Sequence, residues 1–347
     1  GLLGQAGRLA GQGFALGPQF SRYGLADGKV VLRTSAAASS LGAYLLDFQV
    51  TAPKLAGRKL FLDLECTYGN YPRIDYYGSG PESRKGGRSH YRMEENRYNL
   101  LVGVGPLRSL YAGFGGGYLG INIGRGNNPA VGHTGELYEE ATTPGLQKQT
   151  DFIRGGPFLR IDYRDDPIGA RSGGMYLASF MAYNDFRLNR HDFRALELEA
   201  RQYIPFFHKR RVIALAGAAT LSYPNGTSVV PFYLQPTLGG SDDLRGFRSY
   251  RFYDDNLLVV NTEYRWEAFS GLDMALFFDA GKVTAKRSQL NFHNLETSTG
   301  FGFRFNARNR TFIRIDTGFS HEGFQVWLKF GTPPPIRTRE TAISGKR

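Results

Sequence analysis

The chain has 347 residues, a net charge of +12, 45 glycines, 20 tyrosines, 26 phenylalanines and one cysteine, Cys66. A lone cysteine excludes an internal disulfide and a cysteine-based zinc site. The cations are scattered singly through alternating segments and no polybasic run exceeds three, so the charge points to a lumen, or to loops meeting anionic lipid headgroups, rather than to nucleic acid.

No apolar run approaches the ~20 residues of a membrane helix, and the longest, Val212 to Leu221, is about half that. Closed barrels span membranes without such a helix. The chain opens at Gly1 with no signal peptide, and an upstream segment that was cleaved or left out is expected.

The opening is glycine-rich (Gly4, Gly7, Gly11, Gly13, Gly17) and reads as one or two weak strands within residues 1–25. Period-two alternation follows from about residue 28 to the end. In 41–52, Tyr44, Leu46, Phe48 and Val50 oppose Asp47, Gln49 and Thr51. In 193–204, Glu197, Glu199 and Arg201 oppose Leu196, Leu198 and Ala200. In 257–268, Asn261, Glu263, Arg265 and Glu267 oppose Val260, Thr262, Tyr264 and Trp266. Further on, Phe301, Phe303 and Phe305 oppose Gly300, Gly302, Arg304 and Asn306, and Ile313 and Ile315 oppose Arg314 and Asp316.

A soluble sandwich also alternates. Here the polar face carries charges at strand centres and the apolar face ends in Tyr and Trp, the pattern of a lipid-facing band with aromatic girdles around a wet lumen. The fold class expected is all-β, a transmembrane antiparallel β-barrel. Connections fall into two classes. Tight ones are expected at Lys54–Lys59, Pro106–Ser109, Asn189–Asp192, His208–Arg210 and Ala307–Arg310, and long ones at 78–89, 125–150, 224–255 and 285–296. Short turns at one rim and long loops at the other is the outer-membrane pattern. About 14 segments alternate clearly, and the even strand number of single-chain bacterial barrels raises the expected total to about 16. The barrel is expected to occupy residues 1–331. The tail 332–347 contains Pro333, Pro334 and Pro335, has little apolar content, and is expected to be disordered.

The strongest local signal is Gly239-Gly240-Ser241-Asp242-Asp243-Leu244-Arg245-Gly246-Phe247, inside the long loop 224–255. A solvated surface arginine is one reading of Arg245. The other is a loop folded back into the lumen, with Arg245 paired to strand carboxylates. Glu263 and Asp279, the latter within Phe277-Phe278-Asp279-Ala280-Gly281, are the candidates.

This order of segments resembles the C-terminal half of the BamA/TamA family of outer-membrane barrels, the 85-kDa outer-membrane protein superfamily that includes the two-partner secretion transporters. LGGSDDLRGF, VVNTEYRWE, ALFFDAGKV and a terminal strand carry the resemblance, which extends over about residues 40–331. It implies that Arg245, Gly246 and Phe247 form a loop-tip motif tucked into the pore. Asp279 would be the loop arginine's partner, within a motif that includes Phe277 and Gly281. Glu263 is a better second partner than Glu267 from its place in the strand. Leu244 stands where the family usually has Val or Ile. Asp162-Tyr163-Arg164-Asp165-Asp166-Pro167 with Gly173-Gly174 is similar to a stretch that closes a mid-barrel strand in that family, and YYGSGPES with ENRYNL is similar to its early barrel, less specifically. The final strand, with Gly323, Val326, Leu328 and Phe330, resembles an outer-membrane export signal. The residues after Phe330 depart from the family, which usually ends near that aromatic.

What the resemblance implies is insertion or translocation of other outer-membrane or secreted proteins. The partners would be those clients, outer-membrane lipids including lipopolysaccharide, and periplasmic accessory proteins; no nucleic acid and no cofactor is expected. The alternatives are a passive porin-like channel and a barrel that only anchors a larger exported protein. Catalytic signals are thin. Gly115, Gly117 and Gly120 match a dinucleotide fingerprint but no helix follows them, and neither G-x-S-x-G nor H-E-x-x-H occurs. No enzyme is expected. Asp242/Asp243 and Asp254/Asp255 read as solvated loop acids before they read as calcium ligands, and no metal site is expected.

Overall fold

The computed structural model describes residues 2–8, 12–55, 60–166, 169–307 and 310–330. The tail 332–347, most of the Lys54–Lys59 turn and the centre of the Ala307–Arg310 turn lie outside the described residues. The chain forms one 16-stranded antiparallel sheet, curled into a barrel, and one small two-stranded sheet.

Strands of the first half are β1 (Leu2–Arg8), β2 (Phe14–Gly24), β3 (Val30–Ser39), β4 (Tyr44–Leu55), β5 (Leu60–Tyr76), β6 (Ser89–Leu107), β7 (Leu110–Arg125) and β8 (Asp151–Asp162). Those of the second half are β9 (Gly173–Asp185), β10 (Phe193–Phe206), β11 (Arg211–Pro224), β14 (Asn256–Phe269), β15 (Leu272–Thr284), β16 (Glu296–Ala307), β17 (Arg310–Ser320) and β18 (Gly323–Phe330). Each pairs with its neighbours in sequence order, except that β11 pairs directly with β14. The two remaining strands, β12 (Thr237–Leu238) and β13 (Phe252–Tyr253), form a hairpin within the intervening loop. The glycine-rich opening supplies β1 and much of β2. Strands β1 and β18 approach within 8 Å between Cα atoms, and no ladder joins them among the described residues. Near this seam Phe14 meets Phe330 edge to face at 5.6 Å.

Side chains two apart share a face of a strand, and the two faces have opposite chemistry. On β10, Glu197, Glu199 and Arg201 are buried inward, while Leu198 faces outward and is exposed. Outward-facing Leu46, Phe48, Leu100, Phe114 and Phe278 are exposed in the same way, which a lipid-facing wall requires.

Hairpins alternate between two rims. The links 108–109, 207–210 and 270–271 are short and share a rim with the longer turn 163–172. The links 77–88, 126–150, 225–255 and 285–295 sit at the other. Asn189–Asp192, expected among the tight turns, belongs to the link 186–192 at the long-loop rim. Asp185 organises it by accepting from the backbone N–H groups of Arg187, Leu188 and Arg190.

The long loops close that rim with an aromatic dome. Tyr76 is its centre, fully buried and edge-on to Tyr138, Phe232 and Tyr253 at 5.0, 5.2 and 5.0 Å. Edge-to-face rings satisfy their quadrupoles while burying large areas, so the dome is a packed core rather than a set of free loops.

Candidate functional site in the barrel lumen

Between β12 and β13 the loop descends into the lumen and turns at residues 239–250. Gly239 and Gly240 have φ of 111° and 123°, values that favour glycine. Asp243 Oδ1 closes the turn by accepting from the N–H groups of Gly239 (3.1 Å) and Leu244 (2.7 Å). Leu244 and Phe247 are fully buried and pack with Leu238, Phe252, Val259 and Val283. This apolar wedge seats the loop on β14 and β15.

Arg245 lies at the tip, 4% exposed. Its Nη1 donates to Glu263 on β14 at 2.6 Å, and its Nη2 and Nε donate to the two oxygens of Asp279 on β15 at 2.6 and 2.9 Å. The Arg245 backbone N–H adds a third bond to Asp279, at 3.1 Å. Ser298 and Asn261 also donate to Asp279, at 3.2 and 2.9 Å, so this fully buried carboxylate is surrounded by donors. A buried charge needs that degree of pairing to be tolerated. Beneath the fork the Phe277 ring centre stands 3.4 Å from the guanidinium carbon.

Glu263 holds more than the loop. It also accepts from Arg265 at 2.6 Å and from Arg304 on β16 at 2.9 Å. Arg304 in turn pairs with Asp316 on β17 at 2.6 Å, and Asp316 with Arg314. Glu267 lies apart from this network and faces Arg210 at 3.6 Å. Gly246 and Gly281 serve close approach. A Cβ on Gly246 would stand 2.7 Å from the Ser298 Cβ and 2.8 Å from the Phe319 backbone, and one on Gly281 would stand 2.8 Å from the Leu258 carbonyl oxygen.

Terminal strand β18 meets the same loop. Gly323 opens the strand at φ 118°, and Phe324 and Val326 face outward, exposed; Leu328 and Phe330 follow with the same period of two. On the inner face Trp327 Nε1 donates to the Arg245 carbonyl at 2.7 Å, and Lys329 pairs with Asp242. At the head of the strand, Ser320 Oγ donates to the Gly246 carbonyl at 2.9 Å, and Arg251 pairs with Glu322 at 2.8 Å. Sequence reasoning missed Trp327 and Lys329. Their alternation with Val326 and Leu328 was a usable signal, because it turns both polar tips into the lumen. Asp242 and Asp243 are taken up by Lys329 and the turn; Asp255 accepts from Gln235 at 3.0 Å.

At the short-turn rim, Asp165 lies in the turn after β8. Burial alone would raise its carboxyl, but the Lys209 ammonium and the N–H groups of Arg171 and Ser172 hold it well below the usual range. Asp162 and Arg164 pair beside it at 2.8 Å.

The sequence signature of the Omp85 superfamily domain matches residues 32–322, most of the chain. The chain belongs to the Omp85 superfamily. This Omp85 barrel therefore lies in the bacterial outer membrane, with its long loops outside and its short turns facing the periplasm. Among solved structures it is similar to BamA from Haemophilus ducreyi lacking POTRA domains 1-3, with a TM-score of 0.69 at 15% identity over 96% of this chain and 70% of that one. It is also similar to CdiB from Escherichia coli, with a TM-score of 0.62 at 13% identity over 95% of this chain and 62% of that one, and to CdiB from Acinetobacter baumannii, with a TM-score of 0.53 at 13% identity over 94% and 57%. At these identities the likeness is one of fold. Among curated protein sequences none matches the chain.

Proposed function

We propose that this barrel inserts or translocates other polypeptides by opening the seam between β1 and β18. The observation that supports the reading is the bonding of the last strand. β18 has a ladder to β17 along one edge, none described along the other, and an inner face held by the loop tip instead. An unpaired strand edge is a template for another strand, and an incoming polypeptide would add to it by β-augmentation. The β1 sequence, with Gly4 and Gly7, offers few cross-strand contacts to compete. The work is mechanical and non-enzymatic. Its clients are outer-membrane or secreted proteins, delivered by periplasmic accessory proteins at the short-turn rim. A passive porin-like channel fits less well, because the dome packs into a buried core across one rim and the loop tip is seated inside the barrel.

The test locks the seam. Cysteine pairs placed across β1 and β18, with Cys66→Ser, are oxidised or reduced in liposomes, and the folding of an added urea-denatured client barrel is followed on gels. We expect reduced protein to speed client folding and oxidised protein to lose that effect. No acceleration in either state would show a barrel that only anchors or only conducts.

A further inference from the structure

The outer wall carries a cationic patch beside the long-loop rim, remote from the seam. Arg194 is exposed on the outward face of β10, directly across the ladder from Tyr223 of β11. Arg287, just beyond β15, lays its guanidinium over the same ring at 4.2 Å and donates to the Ser222 carbonyl at 2.8 Å. Tyr223 thus has two arginine neighbours. Lys282, two strands along on β15 and lower on the same wall by the ladder register, donates to Asn291 and to the His293 carbonyl at 3.1 and 2.8 Å. Arg190 is exposed in the link 186–192.

None of these four side chains has a carboxylate within 4.0 Å among the described residues. By contrast Arg92, on the face of β6 that also exposes Tyr98, has Glu94 at 3.4 Å. Asp192 stands between Arg190 and Arg194 in sequence, but its carboxylate accepts from the Asp185 N–H at 2.7 Å, so these cations repel one another unless an outside anion neutralises them. The apolar outer wall continues directly below the patch. Phe180 and Leu198 are exposed on it, and the Phe180 and Tyr223 rings lie 6.4 Å apart. Aromatic rings of this kind mark the level where acyl chains give way to headgroups. The cations therefore stand at headgroup height in the outer leaflet, and a guanidinium fork matches phosphate oxygens in pairs.

We propose that Arg194 and Arg287, flanked by Arg190 and Lys282, bind the phosphorylated headgroup of an outer-leaflet glycolipid. The site is independent of the seam and of client handling. It is an interaction surface for a lipid, with Tyr223 as the platform between the two arginines.

The test uses the full chain in a non-ionic detergent, with lipid binding counted by native mass spectrometry. The probes are bis-phosphorylated lipid A, the same lipid enzymatically stripped of phosphate, and inorganic phosphate as competitor. We expect Arg194→Gln/Arg287→Gln to bind lipid A about tenfold more weakly, while Arg92→Gln binds as the parent does and all three proteins stay heat-modifiable. The stripped lipid should bind the parent and the double variant equally weakly. Equal lipid A binding by the parent and the double variant overturns the proposal. So does full displacement of the lipid by millimolar inorganic phosphate, which would mark a free-anion site.

Discussion

Arg245 lays its guanidinium 3.4 Å from the centre of the Phe277 ring, while Asp279, two residues further along the same strand, takes its edge. Residues two apart share a strand face, so β15 alone offers both a ring and a carboxylate to one arginine. Phe277→Leu keeps the apolar bulk and removes the ring's negative face. We expect it to loosen the loop by about 1–2 kcal/mol, less than Asp279→Ala does. Limited proteolysis within residues 225–255 ranks the two variants against the parent, and a Phe277→Leu rate equal to the parent's would show that the ring contributes nothing.

Removing either Arg245 or Asp279 strands the other charge, at about 3–5 kcal/mol for a buried pair and less where water enters. Each single alanine variant should therefore release the loop, and the double variant should be little worse than either. Glu263→Ala should behave differently. It takes a shared carboxylate from three arginines at once, Arg245, Arg265 and Arg304, and two of these belong to the wall; Arg245 and Arg304 keep Asp279 and Asp316. We expect it to lower the temperature at which the barrel unfolds on gels, whereas Arg245→Ala leaves that temperature nearly unchanged. Additive proteolysis rates in the Arg245–Asp279 cycle would show that the two residues act separately.

Gly246→Ala adds a single methyl where Ser298 and the Phe319 backbone already stand within 3 Å of its position. Overpacking of this kind costs about 1–3 kcal/mol. The variant should keep its barrel while the loop tip withdraws from β16 and β17, read as faster cleavage near residue 246. Unchanged cleavage would mean that the neighbouring strands give way at little cost.

The dome holds a buried acid, Asp254, whose carboxyl is pushed up to about 6 by burial, against the Asp255 N–H that donates to it and with the Asp255 charge beside it. Its folded pKa lies above its unfolded value. The folded dome thus binds the proton more tightly, and stability from this group is lost as pH rises from about 4 to about 6. Above that range the ionised form costs about 1–2 kcal/mol once solvent screening of the partly open loop is allowed for. Asp254→Asn should raise the unfolding temperature of the parent at pH 7.5 and leave it nearly equal at pH 4. An equal effect at both pH values would place the cost in packing rather than in charge.

Alternation made the barrel legible, because a wall with lipid on one side and a wet lumen on the other writes its two faces into every strand. Inward Glu197, Glu199 and Arg201 and outward Phe301 read correctly for that reason. The glycine-rich opening, Gly4 and Gly7 among it, marked the first strands as weak partners for closing the barrel, but without side chains it could not fix their register. Glu263 and Asp279 could be named from their places on polar faces, but the link from Glu263 through Arg304 to Asp316 could not. That chain crosses from β14 to β16 and β17, and a one-dimensional pattern does not say which inward charges meet across a lumen. The place of 186–192 at the long-loop rim escaped for a related reason: Asp185 folds the link tightly, so its length resembled that of a periplasmic turn.

The central relationship is that, with no ladder to β1 among the described residues, the loop tip holds the inner face of β18. Trp327→Phe/Lys329→Met removes both inner-face bonds, to the Arg245 carbonyl and to Asp242, and keeps apolar bulk. Backbone amide exchange measured over Gly323–Phe330 tests the relationship directly. We expect exchange in β18 to quicken about tenfold or more while β9 and β10, far from the loop tip, keep the parent's rate. Parent-like exchange in β18, or equal quickening across all strands, would contradict it.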